Sequence, residues 1–272
     1  MRITRGSSRG VVLAVLSVLL GTCVHVSAQQ GALDKIVSKG KIVVGMALDE
    51  PPYSFLDKSG KPAGFQYEVA KMLADELGVQ IEIVETPPAS RIVFLQTNKV
   101  DLIVSTFTRT LKRALVVDFS IPYFSAGTIL VVKKPSGIRG VADLKGKSVG
   151  CVRASTHYNA IVKAAKDATI RQFEYASDTY LALDQGKVDA LATDINRARW
   201  LKKEQKQNYD ILLPILFPEY IAIGVKKNND DLLNWVNLYL QELHESGKSA
   251  ELYEKHLGEK PAAWIIPWSN AR

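Results

Sequence analysis

Apolar positions in this chain change period at regular intervals. Ile42, Val43 and Val44 form a continuous apolar run that reads as a buried strand. Phe65, Val69, Met72, Leu73 and Leu77 then recur at three- and four-residue spacing, one face of a helix that stops at Gly78. Beyond it, residues 79–84 predict a strand, 91–96 a helix and 100–104 a strand. A second cycle opens at Val141, where the turn Asp143-Leu144-Lys145-Gly146 leads into a strand over 148–152. A helix over 156–168, a strand over 170–173, a helix over 178–185, a strand over 188–192 and a helix over 195–203 follow. Alternation of this kind predicts mainly parallel sheets flanked by helices, and two such cycles predict two lobes with a cleft between them. Segments 125–134 and 217–227 join the cycles. Each is β-rich, contains Gly and keeps its hydrophobicity, so they read as a pair of crossing strands rather than flexible linkers. Residues 230–245 and 249–257 read as closing helices.

The amino terminus departs from this pattern. Arg2, Arg5 and Arg9 precede an apolar stretch over 11–20, and small residues lead to Val26-Ser27-Ala28. This predicts a secretory signal over 1–28, cleaved after Ala28. The stretch is too short to cross a bilayer core about 30 Å thick. Leu20-Gly21-Thr22-Cys23 is a poor lipobox, since Thr stands where Gly, Ala or Ser normally precedes a lipidated Cys, so anchoring at Cys23 is the minor alternative. Cleavage would leave Cys151 as the one cysteine, and hence no intrachain disulfide. It would also lower the formal net charge from +7 to +4. That surplus, with no basic cluster interleaved with aromatics, argues against nucleic-acid binding.

The densest chemistry lies in residues 91–123, RIVFLQTNKVDLIVSTFTRTLKRALVVDFSIPY. A strand ends in Ser105-Thr106, a hydroxyl-rich loop follows, and Arg113 stands just beyond. Backbone donors, hydroxyls and a guanidinium at a strand end suit a small carboxylate. This run resembles the substrate-binding proteins of bacterial ABC importers for polar amino acids (solute-binding protein family 3), and the resemblance extends from about residue 33 to the end. It implies the α/β two-lobe periplasmic-binding-protein fold (type II), each lobe a mainly parallel sheet flanked by helices, joined by two crossover strands. The first lobe would be discontinuous, residues 29–124 and 222–272, with 125–221 inserted as the second. A monomer in the periplasm that hands a free amino acid to an ABC permease in the inner membrane is the implied function, with no cofactor or metal.

The resemblance also assigns residues. Thr106, Phe107, Thr108 and Arg113 stand where the family holds the ligand α-carboxylate; an Arg on the surface of a helix start is the plainer alternative for Arg113. Ser155 and Thr156 precede a helix and would grip the same carboxylate, or simply cap that helix. Ala154 stands where the family usually has Gly, and Arg153 is a further departure. Asp194, ending a strand, would meet the ligand ammonium or cap the helix from Ile195. Tyr53, in the loop Pro51-Pro52-Tyr53-Ser54-Phe55, would wall the pocket, with Phe55 equally suited to the core.

Selectivity is read less directly. Glu50 suits a basic or hydroxylated side chain, whereas Arg91 resembles a residue that meets the distal carboxylate in acidic amino-acid binders. The two point in opposite directions or pair with each other. Ala47 stands where acidic binders tend to carry another Arg, and Gln66 and Glu68 replace the family's usual Asp residues. His157, in a helix's first turn, reads as solvated. The enzymatic alternative is a cyclohexadienyl (arogenate/prephenate) dehydratase-like protein on the same fold, with Glu50 or Glu219 as its acid. A sensor module would need a following membrane span. Mass spectrometry of the protein made in a Gram-negative host should find a mature chain beginning at Gln29; a diacylated Cys23 terminus would contradict that expectation.

Overall fold

The computed structural model describes residues 30–204, 208–258 and 260; the expected signal segment, Cys23 and residues 261–272 lie outside the described residues. In chain order the elements are α1 (Ala32–Lys39), β1 (Lys41–Met46), β2 (Asp49–Glu50), β3 (Ser54–Leu56), β4 (Pro62–Ala63), α2 (Phe65–Glu76), β5 (Gln80–Glu85), α3 (Arg91–Gln96), β6 (Leu102–Ile103) and α4 (Leu111–Ala114). They continue with β7 (Val117–Lys133), β8 (Ser148–Val152), α5 (Thr156–Ala164), β9 (Thr169–Phe173), α6 (Ala176–Asp184), β10 (Ala190–Asp194), α7 (Ile195–Glu204), β11 (Tyr209–Lys226), α8 (Asp230–Glu245) and α9 (Lys248–Leu257).

The main sheet runs β5-β1-β6-β11-β7-β10-β8-β9. At one end β1 pairs in parallel with β5 and β6; at the other β8 pairs in parallel with β9 and β10. The centre belongs to β7 and β11, which pair antiparallel from Tyr209↔Lys133 to Lys226↔Val117. This is the two-lobe α/β fold, with both long strands shared between the lobes. A small second sheet, β2-β3-β4, lies beside the first lobe's cleft edge. The sequence pattern gave no hint of it or of α1.

Both crossover strands begin earlier than their hydrophobicity predicts, at Val117 rather than 125 and at Tyr209 rather than 217. Asp118, Ser120 and Asp210 interrupt the apolar pattern, but the backbone of each strand is held by its long partner, and pairing overrides composition. β6 is shorter than expected: at its start the Asp101 N–H still donates to the Val43 carbonyl at 2.8 Å, but the Val43 N–H is taken by the Asp101 carboxylate, at 2.8 Å, rather than by a backbone carbonyl. α5 ends at Ala164, four residues early, where Ala165 turns out of helical geometry (φ −125°, ψ 74°).

Each lobe has its own core. In the first, Phe65, Val69 and Leu73 of α2 pack with Ile42, Val44, Tyr123 and Phe124. Val236 and Leu240 of α8 and Tyr253 of α9 complete it, so the chain returns to this lobe after β11. Gly78 ends the α2 turn at φ 66°, a backbone that a β-carbon would strain. In the second lobe, β7 alternates: Ile129 and Val131 face one layer, Leu130 and Val132 the other. Cys151 is buried in that second layer as a free thiol. Among the described residues no helix is long and apolar enough to cross a membrane.

Candidate functional site

The lobes meet around a cavity of about 30 Å³ at the ends of the parallel strands. From the first lobe, β2 supplies Glu50, the following loop Tyr53, the start of α3 Arg91, the segment after β6 Thr106 and Thr108, and α4 Arg113. From the second, Ser155, Thr156 and His157 open α5, Thr179 comes from α6, Asp194 ends β10 and Arg197 lies in the first turn of α7. Glu219 enters from the crossover strand β11. Nine of the ten residues singled out from the sequence therefore line one cavity.

Phe107 is the exception and corrects the expectation. Neighbours in extended chain point to opposite sides, so with Thr106 and Thr108 facing the cavity, Phe107 turns into the core against Phe119, ring centroids 4.8 Å apart. Its ring serves as a platform instead. The guanidinium carbons of Arg113 and Arg91 lie 5.0 and 5.9 Å from its centroid.

The arginines are fixed further by backbone acceptors. Arg113 donates from Nη1 to the Thr108 carbonyl at 2.7 Å and from Nη2, across the cleft, to the Ala154 carbonyl at 3.1 Å. Arg91 donates to the Thr106 carbonyl at 2.8 Å and Ser105 Oγ at 2.9 Å. Glu50 accepts from Thr106 Oγ1 at 2.7 Å, so Glu50 and Arg91 share the cavity without forming an ion pair. Ala154, in the family's Gly position, takes that glycine-like backbone (φ 58°) despite its β-carbon.

On the second lobe, both capping expectations hold. Ser155 Oγ accepts the Tyr158 N–H at 3.1 Å, and Asp194 Oδ1 accepts the Arg197 N–H at 2.9 Å. Asp194 Oδ1 also accepts from Tyr53 Oη across the cleft at 2.6 Å, and Thr156 meets Thr108 at 3.2 Å. Asp49 adds a clasp at the rim, accepting from Ser177 N at 3.0 Å. His157 is not solvated, as its position suggested. It is largely buried, with Nε2 3.3 Å from Glu219 Oε2, and Glu219 also accepts from Thr156. Arg197 escaped the sequence reading altogether; its spacing of three from Asp194, one helical turn on the same side, was the available signal.

A family model described as bacterial extracellular solute-binding proteins, family 3, matches residues 42–259. The chain belongs to that family. Among family relatives, the ABC transporter glutamine-binding protein GlnH of Bacillus subtilis (strain 168) is 34% identical over 240 residues, covering 86% of this chain and 88% of its own. A solute receptor for L-cysteine of Neisseria gonorrhoeae superposes with a TM-score of 0.81 at 34% identity, over 86% of this chain and 98% of that one. A mutant of ArgBP from T. maritima gives 0.79 at 36% identity, over 84% and 100%.

Burial sets the electrostatics of this family 3 site. Desolvation, helped by the like charge of Arg91, pulls Arg113 down to about 10, which leaves it fully protonated at neutral pH. Burial opposes ionisation of both Glu219 and His157, but their mutual attraction outweighs it, so Glu219 is held below and His157 above its ordinary value. Asp194 behaves differently. Burial pushes it from 3.8 up to about 6, against the Tyr53 hydroxyl and the Arg197 N–H that favour its anion. Between those values the folded protein holds a proton that the unfolded chain has released. Stability from this group therefore falls as pH rises from 4 to 6, by up to about 3 kcal/mol. Asp194→Asn keeps the Oδ1 acceptor and cannot ionise, so it should melt above wild type at pH 7 and level with it near pH 4. A variant no more stable than wild type at pH 7 would contradict this.

Proposed function

We propose that this protein is the extracytoplasmic amino-acid-binding component of an ABC importer. It works as a periplasmic monomer, closing residues 125–221 over residues 29–124 and 222–272, and delivers a free amino acid to a membrane permease. The observation that carries this reading is the division of charge across the cleft. Arg113, with Thr106 and Thr108, lines the cavity from the first lobe and Asp194 from the second. A zwitterion bound between them satisfies both at once: its carboxylate meets Arg113 and the N–H groups behind Ser155 and Thr156, and its ammonium meets Asp194. The relatives named for glutamine, cysteine and arginine support an amino acid as the ligand class, but their side chains differ in charge.

The dehydratase alternative requires a protonated acid in the cleft. Glu219, one of its candidates, is held in the ionised form by His157, and Glu50, the other, is accepting from Thr106. The Glu219 arrangement does not favour proton donation.

A thermal-shift screen of the common amino acids should find one that, at 100 times its dissociation constant, adds about 2.7 kcal/mol of stability. Arg113→Ala should weaken that ligand by two to three decades, since breaking a buried charge pair costs about 3–5 kcal/mol. Arg113→Lys should recover only part of the loss, because an ammonium lacks the planar fork. Calorimetry giving wild-type affinity in the Ala variant would remove Arg113 from the site.

A further inference from the structure

Arg197 is the cavity-lining cation with the most unmet hydrogen-bonding capacity among the described residues: two of its guanidinium nitrogens are orphaned, against one on Arg91. Only 4% of the residue is exposed. Its Nη2 donates to the Asp49 carbonyl across the cleft at 3.0 Å, and its guanidinium carbon lies 5.1 Å from the Tyr180 ring centroid. Nε and Nη1 are buried without a hydrogen-bond partner, and no carboxylate among the described residues lies within ion-pairing distance of it. Two orphaned donors on one buried guanidinium are costly unless another acceptor meets them.

The remaining charges can be assigned in turn. Glu219 is matched by His157 at 3.3 Å. Glu50 faces the same space as Arg91, whose charge it offsets. On the proposed reading, the ligand carboxylate matches Arg113 and its ammonium matches Asp194. An ordinary zwitterion then leaves Arg197 over. A second anion on the ligand closes the balance, whereas a basic side chain would add a cation to a cavity already lined by three guanidiniums.

We infer that Arg197 binds the side-chain carboxylate of the captured amino acid, so that the ligand is dicarboxylic, of the aspartate and glutamate class. This rests on the amino-acid-binding reading above and specifies its side-chain pocket. The two groups are joined directly: Asp194 Oδ1 accepts the Arg197 N–H at 2.9 Å, so the groups for the ammonium and the side chain are one helical turn apart on the same lobe. Closure therefore reads both ends of the ligand together.

Calorimetry with L-glutamate, L-aspartate, L-glutamine, L-asparagine and L-arginine tests the inference on the wild-type protein first. The better acid should bind at least about tenfold more tightly than its amide, and L-arginine should not compete. Arg197→Met should weaken the acid about a hundredfold while changing the amide only slightly, as expected when one partner of a buried charge pair is removed. Arg197→Lys should restore part of the acid preference. An amide or L-arginine bound as tightly as the acids by wild type overturns the assignment without any variant, and leaves the amino-acid-binding reading standing. Acid preference unchanged in Arg197→Met overturns it as well. Absence of binding by all common amino acids would overturn both readings.

Discussion

A carboxylate that loses its water must gain a partner or a proton, and the site is organised around that constraint at Asp194. Its oxygen sits at the closed cleft, accepting from Tyr53 of the opposite lobe and from the Arg197 N–H of its own. Those two donors do not offset burial, and the carboxyl remains well above its ordinary value. A ligand ammonium would. On the proposed reading, closure of the cleft is opposed by a group that the ligand itself would satisfy, so that ligand binding and closure would form one equilibrium.

The crossover strands connect that equilibrium to the fold. β7 and β11 are the only strands common to both parallel sets among the described residues, so relative motion of the lobes must bend or twist them. Glu219 rides on β11 within this stretch and holds His157 and Thr156 at the start of α5. Glu219 thereby ties β11 to the N-terminus of α5. Register irregularities lie on both sides of that contact, between Leu212 and Phe217 and between Ile221 and Gly224.

Much of this was legible in the sequence. The periodicity of Phe65, Val69 and Leu73 marked α2, and the alternation of strands and helices gave the two parallel sets. The resemblance drew nine cavity residues from separate parts of the chain. What it missed follows from physics that is not local. Asp118 and Asp210 hid the true starts of the crossover strands because strand pairing, not composition, holds them. Phe107 was placed in the pocket because motif matching ignores which way successive side chains point. His157 looked solvated because its partner Glu219 is 62 residues away in sequence and meets it only once the second lobe has folded. Arg197 carried no motif; its orphaned nitrogens are visible only in three dimensions.

Small-angle X-ray scattering of wild type and Asp194→Asn, each with and without a saturating amino acid identified by the screen, tests the central claim most directly. Wild type should compact on addition of the amino acid. Asp194→Asn should compact less and bind more weakly, because the variant has neither a buried charge opposing closure nor a counter-charge for the ammonium. Equal compaction and equal affinity in the two proteins would contradict the account and leave Asp194 as a helix cap alone.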